Sequence, residues 1–159
     1  MLILHDLNRQ DFYDVALLLK PELSRKSNKL LIDIKSKSVS FDGVPAGPVR
    51  QAMLNLSLNA IVVSSNETDV IIGFVEQEKN YLLTVKDTGS GMREDPRSIL
   101  EANDRNQIPD DMSGLGLWMV REICADLNAK LSVFDEPFGG TTVSILLPKL
   151  SKEAIRDAA

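Results

Sequence analysis

The stretch DFYDVALLLKPELSRK (11–26) places apolar residues at Phe12, Val15, Ala16, Leu18 and Leu19. That spacing follows one face of a 3.6-residue period and predicts a helix, which Pro21 should interrupt by removing a backbone donor. KLLIDIKSK (29–37) alternates less cleanly but is β-branched and apolar enough for a strand. FDGVPAGP (41–48) gathers glycine and proline and reads as a turn region, after which VRQAMLNLSLNAIVVSS runs to residue 65 without either breaker. This second run is long enough for a helix buried on most sides. TDVIIGFVEQ and NYLLTVKD then read as two strands of a hairpin. From 92 to 113 the periodicity is lost over a stretch longer than most connections in compact domains, and loops of that length are usually functional or disordered. LGLWMVREICADL predicts a helix, KLSVFDE and TTVSILLPK two more strands around the turn PFGG, and SKEAIRDAA a solvated tail.

Composition narrows the class without naming it. A chain of 159 residues fits one domain with a workable core. Apolar residues at 43% and charged residues at 26% are ordinary for a soluble protein, and a formal charge of −5 gives no electrostatic reason to expect nucleic acid or an anionic membrane. A single cysteine, Cys124, forms no internal disulfide or cysteine-based metal cluster, which points to a reducing cytoplasm. No apolar run reaches the roughly 18 residues needed to span a bilayer.

Three constellations carry candidate chemistry. On the 51–63 helix, Asn55 and Asn59 are four residues apart and share a face, so both amides are either bonded internally or line a polar cavity. In KDTGSGM (86–92), Asp87 ends a strand and Gly89 and Gly91 free the backbone that follows, which suits either a charged turn or a carboxylate acceptor beside a flat ring. In SGLGLWMV (113–120), Gly114 and Gly116 open a helix, serving either as a plain cap or as a place where phosphate meets free N–H groups. Neither GxxxxGK[ST] nor the dinucleotide fingerprint is present.

Taken in order, with GGTTVSILLP closing the sheet, these pieces resemble the ATP-binding catalytic domain of sensor histidine kinases. That domain belongs to the GHKL superfamily, which also includes gyrase B and a heat-shock chaperone. The resemblance implies a two-layer α/β sandwich, the Bergerat fold, with a mixed β-sheet covered on one face by helices and a long, mobile ATP lid. It implies a catalytic domain over 12–150, a leader over 1–11 left from a preceding helical domain or linker, and a tail over 151–159. It also implies ATP and Mg²⁺ as cofactors, with a separate histidine-containing dimerisation domain of the same parent protein and a response regulator as partners. Residue by residue, Asn59 would bind Mg²⁺, Asn55 would support the phosphates, and Arg105 would be the basic lid residue. Asp87 would accept a hydrogen bond from the adenine amino group. Gly89, Gly91 and Met92 would lie against the nucleotide, Gly114, Leu115, Gly116 and Leu117 at its phosphates, and Thr141 near the adenine.

The chain departs from that pattern in two places. Val62 stands where relatives often carry a lysine or arginine, and Leu100 and Asn103 occupy lid positions that are usually aromatic. The lid also sets Arg93, Arg97 and Arg105 against Glu94, Asp95, Glu101, Asp104, Asp110 and Asp111, a net of −3, which predicts modest ATP affinity. Two other functions therefore stand beside the kinase: an interaction or phosphotransfer scaffold of the same fold that no longer uses ATP, and an anti-sigma-factor-type serine kinase. His5 is the one histidine, too close to Asn55 for a two-helix acceptor domain to intervene. Cys124 shares a helical register with Leu117, Val120 and Leu127 and reads as a core thiol, and Trp118 as packing.

Overall fold

A computed structural model describes residues 5–89, 115–137 and 139–149. The order is β1 (Asp6–Asn8), α1 (Arg9–Lys26), β2 (Lys29–Lys35), β3 (Ser40–Pro45), α2 (Ala46–Val63), β4 (Asp69–Glu76), β5 (Asn80–Lys86), α3 (Leu115–Asp126), β6 (Lys130–Asp135) and β7 (Thr141–Pro148). Five strands form a sheet in the order β2-β4-β5-β7-β6, with β2 parallel to β4 and every other pair antiparallel. The sheet is therefore mixed, and all five of its strands fall on runs that the sequence marked as strands.

Alternation also decides which face is covered. Val70, Ile72 and Phe74 of β4, Tyr81, Leu83 and Val85 of β5, and Val143, Ile145 and Leu147 of β7 are buried, while their neighbours are only partly so. All join one apolar cluster with Phe12, Val15 and Leu19 of α1, Val49, Met53, Leu56 and Ile61 of α2, and Leu117, Val120 and Cys124 of α3. This is a two-layer sandwich with α2 packed between α1 and α3. Phe74 anchors one end, its ring 5.2 Å from Phe12, 4.6 Å from Phe41 and 5.4 Å from Tyr81. Burying each phenylalanine contributes about 2–3 kcal/mol.

Three expectations need correction. Pro21 lies inside α1 without ending it. The donor it lacks would have reached the carbonyl of Leu17, a residue 70% exposed, so the lost bond lies on the solvent side of the helix rather than in the core. FDGVPAGP is no turn: its first half is β3, its Pro45 is the N-cap residue of α2, and Pro48 sits in the first helical turn, where an N–H would have no partner anyway. Residues 6–11 are not a leader outside the domain. β1 pairs antiparallel with β3, and Asn8 caps α1 through a reciprocal box with Asp11. Asp11, 1% exposed, also accepts from Arg50 at 3.1 Å, lies 3.1 Å from the ring of His5, and is thereby a buried charge shared by three elements.

Candidate functional site

Asp87 follows β5 directly, and the alternation that buries Tyr81, Leu83 and Val85 carries it inward as well. The carboxylate is 6% exposed. Its Oδ1 accepts from the backbone N–H of Gly89 at 2.8 Å and of Thr141 at 3.2 Å, and the two bonds hold the group in one orientation. Burial pushes its pKa above the ordinary carboxylate value, and nearby Asp135 adds to the rise, while the two backbone donors oppose it.

The turn after Asp87 is clasped from two sides. On one side, a Cβ on Gly89 would stand 2.5 Å from the Val63 carbonyl oxygen, so only glycine lets this turn sit on the end of α2. The N–H of Thr88 points at Ser64 Oγ, 3.5 Å away. On the other side, Gly140 adopts φ +94° and donates its N–H to the Gly89 carbonyl at 2.7 Å, while the Asp87 N–H donates to the Thr141 carbonyl at 3.0 Å. A Cβ on Gly140 would stand 2.1 Å from the Asp87 carbonyl oxygen. Thr141, 1% exposed, donates its hydroxyl to Asp135 at 3.3 Å.

Eight residues back along α2, about 12 Å at helical rise, lies the second pole. Asn55 donates its amide N–H to the Gly116 carbonyl at 3.3 Å and accepts from Gln51 at 3.2 Å. Gly116 belongs to the opening turn of α3, whose first N–H groups have no helical partner. Leu115 and Gly116 are partly exposed there, whereas the side chain of Leu117 is buried in the core, so only its backbone faces the turn. Asn59, midway between the poles, is half-buried, and among the described residues its amide makes no hydrogen bond.

The structure thus joins Asp87, Gly89 and Thr141 at one end of α2 and Asn55 with Gly116 towards the other. Gly91, Met92, Gly114 and Arg105, with the acidic lid and its Leu100 and Asn103, lie outside the described residues. Val62 is 74% exposed. Sequence reasoning missed Gly140, Ser64 and Gln51: GGTT was legible as a turn, but its approach to Asp87 is a contact across the sheet that no local pattern encodes. Cys124 is buried, and burial pushes its thiol up to about 12, the state expected of a core thiol.

This arrangement can hold a planar, hydrogen-bonding group at the Asp87 turn and an anion at the start of α3, with the Asn59 amide oxygen between them. Residues 46–151 match the family described as histidine kinase-, DNA gyrase B- and HSP90-like ATPases, and the chain belongs to that family. Among curated relatives, the sensor-like histidine kinase SenX3 of Mycolicibacterium smegmatis is 26% identical over 151 residues, covering 87% of this chain and 39% of its own. A probable C4-dicarboxylate sensor kinase of Halalkalibacterium halodurans is 29% identical over 98 residues, or 61% of this chain and 18% of its own. The chain thus spans well under half the length of these relatives. A full-length ShkA structure in complex with AMPPNP superposes with a TM-score of 0.74 at 25% identity, over 93% of this chain and 31% of that one. The catalytic domain of the histidine kinase ThkA superposes with a TM-score of 0.72 over 91% and 96%, and at 17% identity it shows a common fold.

Proposed function

We propose that this domain binds Mg-ATP and donates the γ-phosphoryl group to a histidine on a separate dimerisation domain of its parent protein, in signal transduction with a response regulator. The carrying observation is the buried Asp87 carboxylate, fixed through Oδ1 by the N–H groups of Gly89 and Thr141. Among the described residues both donors converge on that one oxygen, which leaves the other to accept the adenine amino group. Guanine presents a carbonyl there, and two opposed acceptors in a desolvated site are strongly disfavoured.

The donor chemistry also fits magnesium. Asn59 offers a hard amide oxygen with no protein partner among the described residues, and magnesium commonly takes few protein ligands and fills its remaining positions with phosphate and water. When bound, it would neutralise charge on the phosphates. Asn55 orients the start of α3, and the N–H groups of Leu115, Gly116 and Leu117 would face the phosphate oxygens; Gly114, Arg105, Gly91 and Met92, outside the described residues, keep the nucleotide-binding roles that the family resemblance implies. Phosphoryl transfer asks the protein mainly to position and to stabilise charge, which these groups do without a covalent intermediate.

No helix among the described residues is long and apolar enough to cross a membrane. The exposed, uncharged Val62 favours a second reading, a scaffold of the same fold that does not use nucleotide. The test is transfer: with γ-labelled ATP and the dimerisation domain of the parent protein, the expected product is acid-labile phosphohistidine on that domain. Label on a serine of a partner protein would indicate the anti-sigma-type kinase, and no transfer from bound ATP to any partner would contradict the kinase reading.

A further inference from the structure

The last turn of α1 holds a lysine whose position no family motif explains. Lys26 lies outside the matched segment 46–151, yet its Nζ donates to the carbonyl oxygens of Ile61 at 2.7 Å, of Val62 at 3.2 Å and of Ser64. Those carbonyls form the end of α2, where unpaired oxygens and the negative end of the helix dipole attract a cation. The Lys26 carbonyl in turn accepts from the Glu67 N–H at 3.1 Å, so the chain leaving α2 is held at two points.

Between the bonded carbonyls stands that of Val63, against which Gly89 packs, and Ser64 also faces the N–H of Thr88. We propose that Lys26 is a positioning residue for the Asp87–Gly89 turn, acting through the carbonyl end of α2. By drawing in residues 61, 62 and 64 it fixes the direction of the Val63 carbonyl, and so the surface on which the turn rests. Without the ammonium, three clustered carbonyls repel one another, the end of α2 frays, and the turn loses one of its two supports. The consequence for nucleotide affinity rests on the function proposed above, but the mechanical coupling does not.

The experiment therefore has a ligand-free arm and a binding arm, each run on the native chain, Lys26→Met, Lys26→Arg and Arg25→Met. In the first, amide hydrogen exchange is read at Gly89 and at Leu83 in the middle of β5, well below the unfolding temperature. Lys26→Met should speed exchange at Gly89 roughly tenfold while Leu83 is unchanged, and Lys26→Arg should restore protection. Arg25→Met, which removes a neighbouring exposed charge, should match the native chain. An unchanged Gly89, or equal acceleration at Gly89 and Leu83, would reduce Lys26 to a general structural cap and overturn the proposal. In the second arm, Lys26→Met should weaken Mg-ATP binding roughly tenfold. A native chain that binds no ATP would refute the nucleotide reading, while the exchange result would still decide the role of Lys26.

Discussion

Replacing Gly140 by alanine tests how the base end of the site is built. The new methyl would stand 2.1 Å from the Asp87 carbonyl oxygen and 3.2 Å from Thr88 Cα, at a residue with φ +94°. The backbone conformation alone costs an L-residue about 1–2 kcal/mol. Relieving the overlap moves the two segments apart by roughly 1 Å, which breaks the 2.7 Å bond from Gly140 N–H to Gly89 and stretches the 3.2 Å bond from Thr141 N–H to Asp87. Each such bond contributes about 1 kcal/mol, so the total loss is about 3–4 kcal/mol, or roughly 10 °C in Tm for a chain of this size. Gly139→Ala provides the comparison: φ is +104°, but the nearest atom outside its chain neighbours is 3.9 Å away, so only the backbone cost of about 1–2 kcal/mol applies. Thermal unfolding by circular dichroism reads both variants, and titration with Mg-ATP should show much the larger loss of affinity for Gly140→Ala. Equal Tm losses, or native affinity in Gly140→Ala, would refute the close approach.

Arg50→Met leaves the Asp11 carboxylate buried without its main counter-ion and should cost roughly 2–3 kcal/mol in urea unfolding, whereas Arg25→Met on the surface should stay within about 0.5 kcal/mol. Asp87→Asn keeps an oxygen to accept from Gly89 and Thr141 but removes a desolvated charge. Because the folded pKa of Asp87 is raised, its native form holds the proton more tightly than the unfolded chain, and native stability is lost as pH rises through the folded value. The stability of Asp87→Asn relative to the native protein should therefore be largest at neutral pH and shrink as pH falls through the folded pKa towards the unfolded value, as read by denaturant melts at several pH values; a gap that widens on acidification would contradict the burial. Cys124, with its thiol pushed up to about 12, should react with a disulfide reagent at pH 8 only after unfolding, and fast reaction in the native state would contradict its packing.

Much of the sheet was legible because its strands alternate and one face is covered. What escaped was long-range. β1 and β3 form a short ribbon whose pairing brings together residues 6 and 45, and the prolines of FDGVPAGP mask it because they serve a helix start rather than a turn. Pro21 misleads for a related reason, since its missing bond falls on the water side of α1. In the site, Asn55 and Asn59 stood out as amides in an apolar run and Asp87 and Gly89 as an acid and a glycine closing a strand, whereas Thr141 came from the family resemblance alone. Their supports, Gly140, Ser64, Gln51 and Lys26, act through backbone approaches and side-chain bonds between distant segments, and nothing in local spacing marks them.

Whether the Asp87 turn reads adenine is decided by calorimetric titration of the native chain and of Asp87→Asn with Mg-ATP and Mg-GTP. The native chain should bind ATP over GTP in a magnesium-dependent way, and Asp87→Asn should lose most of that preference. Equal binding of both nucleotides, or no ATP binding at millimolar concentration, would contradict it.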